Sequence, residues 1–595
     1  MKKFLAILLA MTMLIGLVGC SNAKQTQGDK ATTTAIKDGK YKGEGKGKGG
    51  AISVEVTIEN DTITDIKVLN QKETPGYETA MNTLTKNIIS TNSVDVDIVS
   101  GCTLTSKGFL EAVNAALTAA GAKADMLKKL QASGTTGTKK EVNENHDIVI
   151  IGAGGAGLSA AIEAKKAGAD VIVLEKMPMA GGNTLISGAE YAAPNNWIQK
   201  KEGIKDSTDQ FMKDILKGGD NKNNPELVKV VAENALAGAE WLRDEVGVIW
   251  EDQMMFFGGH SVKRSLIPLG ANGKEIIRKQ VAKAESLNIP ILYNTTAKAL
   301  FTDTKGKVVG VQAEGEDKNY TFNTKKAVII ASGGFGSNIE MRVKYDPKMD
   351  KNVLSTNTVG STGDGIVMAE KIGAALEGME YIQTYPICDP LTGTLLYFGD
   401  ARMYGHTIMV NKEGKRFVEE LERRDVISMA IKEQTGHVAY QILDQKGLEE
   451  SNLEEHHGPE IDYLYKNKLL VKADTLEEAA KFFDINAKEL KGSVDRYNGY
   501  VKAGKDLEFN KRSMPSTIEK GPFYILKAAP AVHHTMGGIK INTKAQAINK
   551  DGKVIEGLYA AGEVTGGIHG TNRLGSNALA DITVFGRIAG QNAAK

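Results

Sequence analysis

The chain has 595 residues, enough for about three or four domains, and carries 74 basic residues against 73 acidic ones. That balance excludes the basic surface that nucleic-acid binding needs, and 41% hydrophobic residues with 65 glycines describe a glycine-rich globular protein. The 3 cysteines (Cys20, Cys102, Cys388) are too few for an iron–sulfur cluster, no Cys-x-x-Cys-His marks a c-type haem, and no metal site is expected.

Lys2 and Lys3 precede an apolar run from Phe4 to Val18. It is short for a membrane span and reads as an export signal over residues 1–20. Its end, Leu17-Val18-Gly19-Cys20, resembles a bacterial lipobox. The resemblance implies a lipidated Cys20, anchorage on the outer face of the cell membrane, and a polar tether over residues 21–37. A simple signal peptide or a membrane helix are the alternatives. No later segment looks transmembrane.

Residues 38–125 read as a small α+β domain. Ile52, Val54, Val56 and Ile58 alternate with polar residues as in a half-buried strand, and Ile63, Ile66 and Val68 continue a hairpin past Asn60-Asp61. The pattern predicts helices over Tyr77 to Ser90 and Lys107 to Ala120. Between them, Asp97-Ile98-Val99-Ser100-Gly101-Cys102-Thr103-Leu104-Thr105-Ser106 resembles the attachment motif of FMN-binding domains. The resemblance implies FMN joined by a phosphodiester to Thr105, through a flavin transferase, with Cys102 where alanine is usual. The chemistry asks for an accessible hydroxyl at a helix start, where free amides can hold a phosphate. Simple capping of that helix is the alternative reading. Residues 126–145 read as a linker rich in Ala, Gly, Thr and Lys.

A Rossmann-type α/β domain then runs over residues 146–379 and returns at 533–595. The run Asp147 to Ile151 is a buried strand, Gly152, Gly154 and Gly157 make G-x-G-x-x-G, an Ala-rich helix follows, and a second strand ends at Glu175. This pattern cradles a pyrophosphate at a helix N-terminus and sets an acid against a ribose. NAD and FAD share the fingerprint. The residues that follow, Glu175-Lys176-Met177, Gly181-Gly182-Asn183-Thr184 and Ser187-Gly188, resemble the flavoprotein subunits of fumarate reductases and succinate dehydrogenases. The resemblance implies non-covalent FAD held by Gly152, Gly154, Ala156, Gly157, Glu175, Asn183, Thr184, Gly188, Ala297, Asp364, His534, Glu563, Ala578 and Leu579.

Over residues 380–532 the βα alternation stops, and charged helices such as Leu476 to Phe483 and Ala487 to Tyr500 are predicted. This stretch resembles the mobile capping domain of the same family, which closes over substrate and excludes water. By the same resemblance, Arg573 clamps a substrate carboxylate with His533 beside it, Ser576 adds a substrate contact, and Arg424 is the proton donor. A free arginine does not release its proton, so a relay is implied, with Asp400 and Arg402 as its visible pieces. Fumarate reductases carry His and Glu where Tyr385 and Asp400 stand here. Urocanate reductases show this same Tyr and Asp pair. The implied substrate is urocanate, with Asp400 pairing the imidazolium, and imidazole propionate as product. Covalent FMN beside FAD implies electrons from a membrane quinol dehydrogenase or another flavoprotein. Alternatives are reduction of fumarate or another acrylate, the reverse oxidase reaction, and a non-catalytic flavin-binding lipoprotein.

Overall fold

The computed structural model describes residues 36–47, 50–71, 73, 78–96, 98–99, 103–122 and 139–595. Cys20, Cys102, residues 126–138 of the expected linker, and Asp97, Ser100 and Gly101 of the attachment motif lie outside them.

The small domain is a three-stranded antiparallel sheet (Gly39–Lys46, Ala51–Glu59, Thr62–Asn70) backed by helices Glu78–Thr91 and Thr103–Ala119. Ile52, Val54, Val56 and Ile58 face inward on alternate positions, as their spacing predicts, against Phe109, Val113 and Leu117 of the second helix. That helix lies so close to the first strand that a Cβ on Gly43 or Gly45 would strike the carbonyls of Ala112 or Gly108, each 2.0 Å away. It begins at Thr103, four residues before the predicted start, so Thr105 stands within its first turn.

The strand Lys140–Ile151 begins inside the segment read as linker. Its outer half pairs in parallel with Lys318–Asn323 and its apolar half with Val328–Ile330. The nucleotide sheet has 8 strands, in the order Thr296–Thr302, Val308–Glu314, Lys318–Ile330, Lys140–Ile151, Val171–Leu174, Ile291–Leu292, with Val554–Ala560 and Gln546–Ile548 joined through Lys318–Ile330. Helices Gly155–Lys166 and Asn577–Ala593 pack on it. A Cβ on Gly586 or Gly590 would meet the carbonyls of Ala156 and Ala160 at 2.6 and 2.3 Å, which explains two glycines within a helix. Together the strands and helices close the predicted Rossmann-type layer structure, and the chain is mixed α/β throughout.

The inserted cap is a five-stranded sheet: Ile382–Cys388, Phe523–Thr535, Ala439–Asp444 and Ile408–Val410 in order, with Leu470–Ala473 also pairing Phe523–Thr535. Its helices include Leu476–Phe482 and Ala487–Ala503, within a few residues of expectation. One boundary moves. Phe523–Thr535 is a single strand of the cap sheet, so His533 and His534 belong to the cap edge and not to the returning FAD segment. Cys388 is buried and free. Among the described residues no helix is long and apolar enough to cross a membrane, and no group of His, Cys, Asp and Glu could hold a metal.

Candidate active site

One cavity, with about 1590 Å³ of empty space, runs from the glycine turn after Lys140–Ile151 to the seam between cap and nucleotide domain. At its first end the local sequence builds a dinucleotide cradle. Gly152 has φ 104°, a left-handed conformation that glycine supplies, and a Cβ there would sit 2.4 Å from the Ala331 carbonyl. The Gly154 Cβ position is open to the cavity, with Gly181 O as its nearest neighbour at 3.8 Å. Glu175 is buried at the strand end and accepts from the Ala153 and Met177 amides, both at 2.8 Å. Burial pushes its carboxyl up, against those bonds.

Asn183 and Thr184 line the cavity from the helix Gly182–Ile186, Gly188 from the turn beyond it, and Ala297 from the strand Thr296–Thr302. Asp364 lines it too, paired with Lys176 at 2.6 Å. Ala156, His534, Glu563, Ala578 and Leu579 complete the wall. Ser332 also lines the cavity, with its Oγ buried against Gly365, where a Cβ would lie 2.2 Å from it. These features fit FAD. One expected contact is corrected: Gly157 does not line the cavity. Its Cβ would lie 1.9 Å from the Gly152 carbonyl, so it is a glycine to let helix and turn approach, and its role is packing.

The other end is chemically active. Arg424 is the first residue of the helix Arg424–Lys432, a poor place for a cation because the helix N-terminus is itself positive. Its guanidinium lies 4.8 Å over the Tyr385 ring and 5.4 Å from that of Phe257, with Nε and Nη1 buried and unpartnered. Burial lowers its pKa. The preceding Arg423 instead pairs Asp425 at 2.6 Å and Asp220 at 2.7 Å on the surface. Of the two adjacent arginines, only Arg424 lines this cavity. Arg573 is buried on the loop before the last helix, held by Gln383 Nε2 donating to its carbonyl at 2.7 Å, and burial and Arg424 lower its pKa.

His533 owes its position to a β-bulge. Gln383 pairs His534 and Thr384 pairs Val532, leaving His533 without a partner residue. Both histidines line the cavity as a result. Thr356 Oγ1 meets His533 Nδ1 at 2.8 Å, and burial beside the arginines keeps both rings neutral.

Tyr385, its ring centroid 5.0 Å from that of His533, joins Asp400 by a hydrogen bond of 3.1 Å from the phenol. Sequence reasoning missed their companion, Glu190. It is buried, lines the same cavity, and occupies space left by Gly188, whose Cβ would fall 2.2 Å from its Oε1. Burial and the Asp400 charge push the Glu190 carboxyl up to about 7, and burial pushes Asp400 up to about 6. Asp400 therefore shares its cavity with a second buried carboxyl, whose ionisation its charge opposes. The signal for Glu190 was an acid inside the run Ala189 to Ala193, which otherwise reads as core. Phe257, Leu395 and Tyr397 in the wall had no such signal. Ser576 lines the cavity, but its Oγ already meets Ser265 Oγ at 2.6 Å and donates to Gly575 O at 2.5 Å. Arg402 is buried behind the site, Nη1 donating to Glu420 O at 2.8 Å, with Nε and Nη2 unpartnered.

Thr105 lies elsewhere. Its hydroxyl donates to Glu73 at 2.5 Å and is buried, where the sequence led us to expect an accessible group.

Comparison with known proteins agrees with this geometry. The FAD binding domain model matches residues 147–579 and the FMN-binding domain model residues 47–118. The chain is 46% identical to a urocanate reductase of Eggerthella lenta over 587 residues, 98% of this chain and 96% of that one. It is 34% identical to the acrylate reductase flavoprotein subunit of Shewanella woodyi, across 74% of this chain and 90% of the relative. The solved open conformation of a flavocytochrome c3 fumarate reductase superposes with TM-score 0.64 at 38% identity, over 76% of this chain and 78% of that one. The chain belongs to the flavoprotein family of fumarate and urocanate reductases, as an oxidoreductase of carbon–carbon double bonds that uses FAD and FMN.

Proposed function

We propose that this enoate reductase acts on urocanate and forms imidazole propionate. The observation that carries the reading is that one cavity brings together a carboxylate-gripping group and an acidic group. Arg573, with neutral His533 and His534, offers donors to a carboxylate, and a guanidinium grips one bidentately. Glu190 and Asp400, with Tyr385, offer two buried acidic groups to a basic ring. A second carboxylate, as in fumarate, would meet like charge in a water-excluded site, at a cost of several kcal/mol by rough estimate.

Bound FAD supplies hydride to the double bond. The residues supply the rest. Arg573 fixes the acid end, the carboxyl pair fixes the ring, and the carbon beside the ring is the electrophilic one. Arg424 gives a proton to the carbon beside the carboxylate. Its depressed pKa and unpartnered nitrogens make it a better acid than a solvated arginine. Arg402 and Asp400 are the candidates to return that proton.

In this reading Thr105 carries FMN in phosphodiester linkage, placed there by a flavin transferase. FMN so held would supply one-electron chemistry between a quinol dehydrogenase or another flavoprotein and the FAD site, and lipid on Cys20 would hold the protein outside the cell membrane. A general acrylate reductase is the second reading, favoured by the likeness to the acrylate enzyme. An anaerobic panel of urocanate, fumarate, cinnamate and acrylate, driven by reduced viologen, separates the two. Urocanate should lead fumarate by orders of magnitude in kcat/KM; equal rates would refute the urocanate reading.

A further inference from the structure

Outside the chamber, the nucleotide domain buries a charge cluster that the mechanism does not use. Arg264 is fully buried. Its Nε and Nη2 donate to Asp206 at 2.8 and 2.9 Å, and Nη1 donates to Asp214 at 2.6 Å. Nη1 also meets His260 Nδ1 at 2.9 Å. Arginine has only donors, so Nδ1 accepts, and the single proton of the ring is on Nε2. That Nε2–H points at Gly575 O, 2.9 Å away. His260 is itself buried, its ring stacked on Phe211 with centroids 6.1 Å apart.

Gly575 lies two residues after Arg573 and two before the start of the last helix. Its other side is pressed on Phe257, where a Cβ would lie 2.2 Å from the ring. Phe257 in turn lies beneath Arg424. The Gly575 carbonyl also accepts from its neighbour Ser576 Oγ, and His260 is the bond that ties this peptide to a distant element; the peptide is thus gripped between that bond and a ring, next to both arginines of the site. A charge cluster with every buried proton assigned costs much desolvation. Simple stability does not require that it end on this one carbonyl.

We infer that His260 is a positioning residue. Arg264 fixes its tautomer, and its Nε2–H holds the Gly575 carbonyl so that Arg573 meets the substrate carboxylate. This rests on the proposed role of Arg573. A buried, neutral ring is what such a peg requires, and burial with the Arg264 charge holds His260 down at about 4, against the smaller pull of Asp214 and Asp206. Across the physiological range the peg does not titrate.

The test uses holoenzyme and two variants, His260→Leu and His260→Gln. Leucine fills the space without either bond; glutamine can accept from Arg264 and donate to Gly575. Binding of urocanate and of acrylate is read from the perturbed flavin absorbance. His260→Leu should weaken both acids by about tenfold or more, because a misplaced clamp loses geometry that is worth up to about a hundredfold per ångström, and kcat should move less than KM. His260→Gln should stay within about threefold of wild type, with the same Kd profile between about pH 5.5 and 8. A purely structural role would lower the melting temperature and leave the KM-to-kcat split untouched.

Wild-type affinity in a folded His260→Leu overturns the inference, as does a glutamine variant as weak as the leucine one. If His260→Leu does not retain FAD, the glutamine variant decides alone, by the same affinity and by its pH profile; a wild-type titration that vanishes in it also overturns the inference. A wild type that binds acrylate but not urocanate defeats only the substrate reading. One that binds neither acid removes the clamp and defeats both.

Discussion

Arg424 breaks a local rule by standing as a cation at a helix N-terminus, half-buried with Nε and Nη1 enclosed, and with no ion pair among the described residues. Arg424→Ala should retain FAD and lose about 10²–10⁴-fold in turnover, the usual worth of a well-placed acid. Near-normal rates in an FAD-loaded variant would reject it as donor. Asp400→Asn should lose most urocanate turnover, since the amide cannot carry the charge that pairs with the ring; an indifferent variant argues for a plain acrylate pocket. The coupled pair also sets a stability slope. Glu190, at about 7, and Asp400, at about 6, both lie above the roughly 4 of free carboxyls, so folding takes up protons between those limits. Their contribution therefore favours the fold at low pH and is lost as pH rises from about 4 to about 7. Glu190→Gln removes one share of that loss. Its melting temperature relative to wild type should climb between about pH 5 and 7.5, and a constant difference would show that Glu190 titrates normally.

Among the elements, the strand Phe523–Thr535 matters most, because its bulge at His533 turns two successive histidines to one cavity. A regular strand would send them to opposite faces. The glycine turn is equally constrained. Gly157→Ala would force a methyl to 1.9 Å from a backbone oxygen. The expected result is lost FAD and about 1–3 kcal/mol of stability, read from flavin content and denaturant midpoint; full FAD occupancy would contradict the packing role. In the small domain, the helix from Thr103 places the Thr105 hydroxyl on Glu73. Thr105→Ala should abolish covalent FMN, by mass spectrometry after denaturation, and leave FAD untouched. An adduct that persists sends the attachment elsewhere.

For the whole molecule, the substrate chamber lies at a seam. Arg573 and Glu190 come from the nucleotide domain, while Arg424, Tyr385, Asp400 and His533 come from the cap. Motion of the cap would assemble or dismantle the site, as water exclusion demands. On the proposed topology the protein works outside the cell, tied by Cys20. Wild type should partition with membranes and Cys20→Ala should be released or left unprocessed; an exported wild type found wholly soluble would remove the anchor.

The Rossmann layer and the small hairpin domain were legible because each is written in local spacing, whereas Arg424, His533 and Arg573 were singled out by family resemblance alone. Glycines at a strand end, alternation of period two and short motifs need no knowledge of distant residues. The helix start at Thr103 and the strand start at Lys140 were not, because pairing with neighbours, and not propensity, extends both elements. Glu190 was hidden for a stronger reason. Nothing near it in sequence explains a buried acid, and its carboxyl is pushed up by burial and by the charge of Asp400, some two hundred residues on, in a cavity that exists only when cap and nucleotide domain meet. The same holds for His260, whose role depends on a carbonyl 315 residues away. Motifs that resemble a known family implied the class of reaction, and the ionisation of its residues was decided by burial, which only the tertiary structure supplies.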